Sequence, residues 1–269
     1  MTPPPTPPLL ELRGVGKDHG SVIALDGVDA TVRAGEVTCV LGDNGAGKST
    51  LIKVLAGVHP ADRGAVLLDG APVTFGSPRE ALDAGIATVY QDLAMIPLMS
   101  IWRNFFLGAE PTRGWGPFRR FDAARAKETT RQELAAMGID IRDPDQPVGT
   151  LSGGERQSVA IARAVHFGAR ALVIDEPVTP MTVARQTLFG QAVLRARAQG
   201  LAVVVVTNNP RYAHLIGDRF LLLAHGQVAG NLTRDDVDAD VLTALMAGGD
   251  QLTTLTDALT ALHPELGER

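Results

Sequence analysis

The sequence predicts an α/β fold: a mainly parallel β-sheet covered on both faces by helices, with an antiparallel β subdomain and an inserted helical subdomain. Three observations predict it. Short β-branched apolar runs alternate with stretches of helical period. One such run ends in a glycine-rich turn that opens a helix. Of 269 residues, 45% are hydrophobic and 20% charged, an ordinary globular composition. That is enough apolar surface for one large domain, or for a domain carrying a subdomain.

Met1 to Pro8 is proline-rich, with neither a basic cluster nor an apolar stretch. It reads as a stiff disordered tail, not as a signal peptide. Leu9 to Val32 reads as short strands around a turn at Asp18-His19-Gly20. Val37 to Leu41 is a β-branched strand, and the helix Lys48 to Ala56 follows its glycine turn. Ala65 to Leu68 and Ile86 to Tyr90 are further strands. From about Leu93 to Gly149 the apolar period is helical, most clearly over Ala123 to Met137, and this section reads as an insertion. Strands return at Ala171 to Ile174, Leu201 to Val206 and Phe220 to Leu223, with helical patterns between them. Asp235 to Leu262 reads as helices with a turn at Gly248-Gly249. The expected organisation is a tail (1–8), a main domain (9–247) holding the helical insertion (about 93–168), and a C-terminal helical extension (248–269).

The formal net charge is −5, and no basic stripe appears, so nucleic acid is not an expected partner. Cys39 is the single cysteine. It cannot form an internal disulfide, which suits a reducing compartment, and its apolar surroundings mark it as a core residue, not a nucleophile. No apolar run approaches the length of a membrane span. A transport role would therefore require a separate membrane-embedded partner.

Gly42-Asp43-Asn44-Gly45-Ala46-Gly47-Lys48-Ser49, with Thr50 after it, fits G-x-x-x-x-G-K-[ST] between a strand and a helix, the context that motif requires. Glycines let backbone N–H groups converge into one nest, and the helix start adds positive potential. Lys48 supplies a charge for the β- and γ-phosphates, and the Ser49 hydroxyl can ligate Mg²⁺. An accidental match in a chain this long is on the order of 1%.

Ala171 to Ile174 leads into Asp175-Glu176. Acids at the carboxyl end of a parallel strand face the crevice where ligands bind. Asp175 is the candidate Mg²⁺ residue, and Glu176 the candidate base that orients and deprotonates an attacking water. The plainer reading is a solvated strand end before Pro177. Further on, Ser152 and Glu155 of Leu151-Ser152-Gly153-Gly154-Glu155-Arg156-Gln157 make a capping box on a helix to about Phe167, with Gly168 beyond it. The capping box does not account for Gly153-Gly154, which would let an anion approach the helix start closely.

With LSGGERQ in this order between the phosphate loop and the acids, the sequence resembles the ABC transporter ATPase family, essentially throughout the chain after the proline tail. The resemblance implies a P-loop NTPase of ABC ATPase type that binds ATP and Mg²⁺ and hydrolyses ATP. It implies two subunits packed head to tail, as a homodimer or heterodimer. Ser152, Gly153 and Gly154 of one would complete the ATP site of the other. Gln91, in Val89-Tyr90-Gln91-Asp92, matches the glutamine expected to touch Mg²⁺ or the attacking water. His19 stands where the family usually has an aromatic that stacks on adenine; an imidazole can stack with less area.

Gly42 to Gly57 (GDNGAGKSTLIKVLAG), Asn104 to Gly108 (NFFLG), Leu151 to Ala164 (LSGGERQSVAIARA) and Gly217 to Leu223 (GDRFLLL) resemble monosaccharide importers of the ribose, xylose and fructose type. Many of these carry two ATPase modules in one chain; this chain carries one. The resemblance implies an integral-membrane permease, indirectly a sugar-binding protein, and a peripheral place on the cytoplasmic face of the membrane.

The sequence departs from the family in two places. Asn208 of Val206-Thr207-Asn208-Asn209-Pro210 stands where the family has a histidine that donates to the γ-phosphate. An amide can donate but is shorter and never cationic. Losing one preorganised donor costs roughly 2.7–4 kcal/mol, or ~10²–10³ in rate. The segment Val178-Thr179-Pro180-Met181-Thr182 also differs, and Pro180 stiffens it. A slow ATPase and a degenerate, regulatory nucleotide-binding subunit are both compatible with these changes. Finally, the chain has eight Phe, two Trp and two Tyr, and half of these rings are Trp102, Phe105, Phe106, Trp115, Phe118 and Phe121. They are expected to divide between the helical section's own core and an apolar groove for a helix of the membrane partner.

Overall fold

The computed structural model describes residues 7–175 and 183–246. Most of the proline tail, Glu176, the segment 178–182 and the extension 248–269 lie outside the described residues. The chain opens with β1 (Pro8–His19) and β2 (Val22–Arg33), an antiparallel hairpin longer than the short strands expected, because register shifts around Val15 and Lys17 absorb irregularities without ending the pairing. β3 (Val37–Leu41) is buried along its whole length and runs through the glycine turn into α1 (Lys48–Leu55). β4 (Arg63–Leu68) is followed by β5 (Ala71–Val73), which three residues around a proline did not reveal in the sequence. α2 (Pro78–Asp83) also escaped notice, since Ala81 is its one buried residue. Its start is capped by Ser77, whose side chain accepts from the Glu80 N–H. β6 (Ile86–Val89) completes this half.

The middle section is not continuously helical. α3 (Ile101–Phe106) is separated from α4 (Ala123–Ala136) by a small hairpin, β7 (Thr112–Arg113) with β8 (Arg120–Phe121). Pro111, Gly114, Gly116 and Pro117 interrupt the helical period there. α5 (Gly153–His166), β9 (Ala171–Asp175), α6 (Val183–Ala198), β10 (Ala202–Val206), α7 (Pro210–Ile216) and β11 (Arg219–Ala224) then alternate as expected. β12 (Gln227–Thr233), an edge strand weakened by Gly230, went unrecognised in the sequence, and α8 (Ala239–Met246) is the last described helix.

The main sheet runs β12-β11-β3-β10-β9-β6, with all pairs parallel except the antiparallel edge β12. A second, antiparallel sheet runs β2-β1-β4-β5. Strand alternation splits the apolar core in two. Cys39, Leu172, Ile174, Val203 and Val205 face a helical layer with Phe105, Phe189 and Tyr212. Val40, Val173, Val204 and Val206 face α1 and the antiparallel sheet, with Leu10, Val28, Leu51 and Leu55. Cys39 is fully buried, as its apolar surroundings required.

The turn after β6 is tied to the helical section by one buried side chain. Asn104 Oδ1 accepts from Ile96 N at 2.9 Å, and Asn104 Nδ2 lies 3.1 Å from the carbonyls of Ile96, Met99 and Ser100. Asn104→Ala leaves those buried groups unpaired and is expected to cost about 1–3 kcal/mol, read as a drop in Tm in thermal unfolding.

Candidate functional site

Four consecutive strands of the main sheet, β3, β10, β9 and β6, end on one edge, and each delivers a predicted residue there. β3 opens the glycine turn, β10 is followed by Thr207 and Asn208, β9 ends on Asp175, and β6 is followed by Tyr90 and Gln91. Neighbouring strands lie about 4.8 Å apart, so β3 and β9 are separated by about 10 Å, room for a phosphate and a cation. A cavity of about 270 Å³ opens between them. Asn44, Gly45, Gly47, Lys48, Ser49 and Thr50 line it, with Asp175, Val206, Thr207 and Asn208 opposite.

The glycine turn has the shape a phosphate cradle needs. Gly47 adopts φ +103°, and a Cβ there would stand 2.6 Å from the Ala24 carbonyl and 2.9 Å from Leu25, so no other residue fits without displacing β2. Gly42, Asp43 and Ala46 form the back of the turn, where they line a smaller cavity of about 170 Å³ with Leu223, His225 and Met246. Lys48 Nζ donates to the carbonyls of Gly42 at 2.6 Å and Asp43 at 2.8 Å. The lysine thus braces the turn with its charge held at the cavity wall.

Burial lowers the Lys48 pKa, against the pull of Asp43 and Asp175. Burial likewise raises that of Asp175, against the pull of Lys48 and Lys53. Each charge makes the other tolerable in a half-buried place. Tyr90, at the end of β6, is raised by burial and by the Asp175 charge, while a hydrogen bond with Thr88 opposes both. Among the described residues no three His, Cys, Asp or Glu side chains gather. One carboxylate, Asp175, shares the cavity with the hydroxyl side chains of Ser49, Thr50 and Thr207. That sparse oxygen set suits Mg²⁺ carried in on a polyphosphate rather than a dedicated metal cage.

Other predicted residues lie elsewhere. Gln91 follows β6 and is exposed, outside the lining of the cavity. His19 also lies outside the lining, its ring edge-on to His59 with centroids 5.4 Å apart. It sits opposite Val22 in the hairpin, and Val22 and Ile23, both largely exposed, line the cavity with Ala24. The sequence reading missed these two; the available signal was a β-branched pair directly after a tight turn.

Ser152, Gly153 and Gly154 do not line the cavity of their own chain. They form the start of α5, where Ser152 Oγ accepts from Glu155 N at 3.3 Å and Glu155 Oε2 accepts from Ser152 N at 2.7 Å, the predicted capping box. Arg156 Nη1 donates to the Leu151 carbonyl at 2.6 Å and fixes the approach to the helix. The glycines have a local reason as well. A Cβ on Gly153 would stand 2.9 Å from the Arg185 guanidinium carbon, and one on Gly154 3.3 Å from the same side chain. They let α6 lay Arg185 against the helix start. The six clustered rings divide too. Trp102, Phe105 and Phe106 are buried, while Phe121, stacked on Trp102, Trp115 and Phe118 are exposed.

A parallel sheet with a glycine cradle, lysine, hydroxyl and carboxylate at its carboxyl edge defines a phosphate-loop nucleotide-binding class. Residues 25–179 match the family model for the ABC transporter. The ribose import ATP-binding protein RbsA of Burkholderia pseudomallei is 41% identical over 247 residues, which cover 91% of this chain and 48% of that protein. The xylose/arabinose import ATP-binding protein XylG of Sulfolobus acidocaldarius is 38% identical over 239 residues, covering 88% of this chain and 93% of that protein. The crystal structure of a nucleotide-free ATP-binding cassette from an ABC transporter superposes with a TM-score of 0.75 at 25% identity, covering 89% of this chain and 95% of that one. An ATP-binding cassette in its ADP conformation gives 0.76 at 24% identity over 90% and 96%, a likeness of fold. This chain belongs to the ABC transporter family. It spans about half the length of the RbsA proteins it matches.

Two outcomes follow from the cradle. Gly47→Ala is expected to lower the Tm and to abolish nucleotide binding measured by titration calorimetry, because the turn must open to admit the methyl group. The raised pKa of Asp175 means that the folded chain holds this proton more tightly than the unfolded chain does. That contribution to stability is complete below the unfolded pKa, about 4, and is lost as pH rises through the folded pKa. Asp175→Asn removes the loss. In EDTA the variant is expected to melt higher than the parent at pH 7.5, and the difference should vanish near pH 4.

Proposed function

We propose that this chain is the ATP-binding and ATP-hydrolysing subunit of an importer that carries a monosaccharide through a separate integral-membrane permease. The observation that carries the reading is the meeting of Lys48, Ser49, Asp175 and Asn208 around one cavity walled by a glycine cradle. The names of the relatives, ribose import and xylose/arabinose import proteins, support a sugar as cargo. No helix among the described residues is long and apolar enough to cross a membrane, so the path for the sugar belongs to the permease. The subunit then sits peripherally on the cytoplasmic face, and a sugar-binding protein delivers the cargo on the other side.

In this reading the N–H groups at the start of α1 hold the phosphates and Lys48 neutralises the terminal one. Its Nζ is held at the cavity wall by the carbonyls of Gly42 and Asp43. Val22 and Ile23 supply apolar surface at the cavity mouth, with His19 beside them. Ser49 and Asp175, with Gln91 near them, would hold Mg²⁺, which would supply positive charge against that developing on the phosphoryl oxygens. Glu176, the residue after Asp175, orients the attacking water and takes its proton. Ser152, Gly153 and Gly154 stand apart from their own cavity, and this supports their role at the cavity of a second subunit. Two copies, or this chain and a related one, close head to tail over two nucleotides. Closure and release of that pair drive the permease.

Asn208 lies at the cavity wall where the family has histidine, which favours slower turnover over weaker binding. The chain is expected to bind Mg-ATP, and Lys48→Ala to lose that binding by tenfold or more in calorimetry. Failure of the parent chain to bind Mg-ATP overturns the proposal. Asn208→His is expected to raise the steady-state ATPase rate, by up to the ~10²–10³ that one preorganised donor is worth, with ATP affinity unchanged. An unchanged rate with tighter binding would reject this role for Asn208.

A further inference from the structure

Outside the nucleotide cavity, the most unusual surface is the hairpin between α3 and α4. Its two strands pair with each other and with no further described strand. Arg113 and Arg120 stand directly opposite one another in that pair, and Arg119 adjoins them. Like charges facing across a strand pair are destabilising. All three arginines are exposed, and among the described residues none has a carboxylate within ion-pair distance. Arg119 donates instead to the Thr112 hydroxyl, at 2.8 Å and 3.2 Å. The acids at the hairpin's feet are engaged by neighbouring backbone: Glu110 accepts from Gly108 N and Asp122 from Arg125 N, both at 3.1 Å.

At the tip, Trp115 is 83% and Phe118 76% exposed. Both rings stand clear of the core, whereas Phe121 stacks on Trp102 at 5.2 Å and fixes the base of the hairpin to the helical section. Tryptophan and phenylalanine favour the headgroup layer of a bilayer, and arginines beside them are drawn to anionic lipid. A two-stranded ribbon is small beside the roughly 800 Å² per partner of a standard protein interface, while a bilayer needs only the protruding rings. The cationic cluster also stands out on a chain with net charge −5, which as a whole is repelled by an anionic surface.

We propose that the hairpin 112–121 is a membrane-surface anchor. It seats Trp115 and Phe118 among the headgroups of an anionic bilayer, with Arg113, Arg119 and Arg120 against the lipid phosphates. This goes beyond docking on a permease, because the contact is with lipid itself and needs neither nucleotide nor partner.

The test uses the purified full chain without nucleotide, sedimented with vesicles of phosphatidylglycerol and phosphatidylcholine or of phosphatidylcholine alone. The expected result is binding at least tenfold tighter to the anionic vesicles, weakened by salt, with a blue shift of tryptophan emission. The shift reports Trp115, because Trp102, the other tryptophan, is buried. The double variant Trp115→Ser with Phe118→Ser and the triple variant Arg113→Glu, Arg119→Glu, Arg120→Glu are each expected to lose at least tenfold in binding with Tm unchanged. Equal binding to neutral vesicles, full binding by the triple variant, or no sedimentation and no shift would each overturn the proposal. The last result would leave the tip to a protein partner or to water. Because nucleotide is absent, none of these results bears on ATP binding.

Discussion

A cation and a carboxylate share one half-buried cleft in this molecule, and the rest of the structure is arranged to make that possible. Lys48 and Asp175 are each partly stripped of water, and burial pushes both toward their neutral forms. They remain useful as charges because Lys48 opens the helix that follows β3 and Asp175 ends β9, two strands separated only by β10, so each field reaches the other. The main sheet supplies that spacing. Its parallel strands bring four loop starts to one edge, and the buried runs of β3, β9 and β10 keep those starts in register.

The backbone of the cradle is held from behind as firmly as it is shaped in front. Gly47 passes so close to β2 that the antiparallel sheet becomes part of the phosphate site. The Gly226 N–H donates to the Ala46 carbonyl at 3.1 Å, while the Asp26 N–H donates to the Gly226 carbonyl at 2.8 Å. The turn after β11 thereby joins the cradle to the β2 strand. Two sheets that share no strand are therefore mechanically one unit at the site. The two-sided core described by the strand alternation places the antiparallel sheet and α1 on one face and the helical layer on the other.

The helical layer carries the start of α5, whose capping box and glycines do not line the chain's own cavity. The same layer carries the Asn104 staple beside the turn after β6. That side chain ties the loop after β6 to α3.

Much of this was legible in the amino-acid order. The glycine spacing around Lys48, the acid at the end of Ala171 to Ile174 and the Ser152–Glu155 pair depend on contacts within a few residues, so local chemistry alone specified them. The alternation of β-branched runs with helical periods was enough for a parallel sheet. The short β5, α2 and β12 were not legible, because each buries too little of its own surface to leave a periodic mark. The packing of Arg185 against Gly153, the placement of Val22 and Ile23 at the cavity, and the split of the six rings between core and hairpin tip were likewise hidden. Those depend on which segments, tens of residues apart, are brought together. Sequence by itself determined the chemistry available at each position, since that follows from side-chain type and near neighbours. Only the tertiary structure decided which of those groups meet across the sheet edge and which remain exposed, since that depends on strand order and packing between distant parts of the chain.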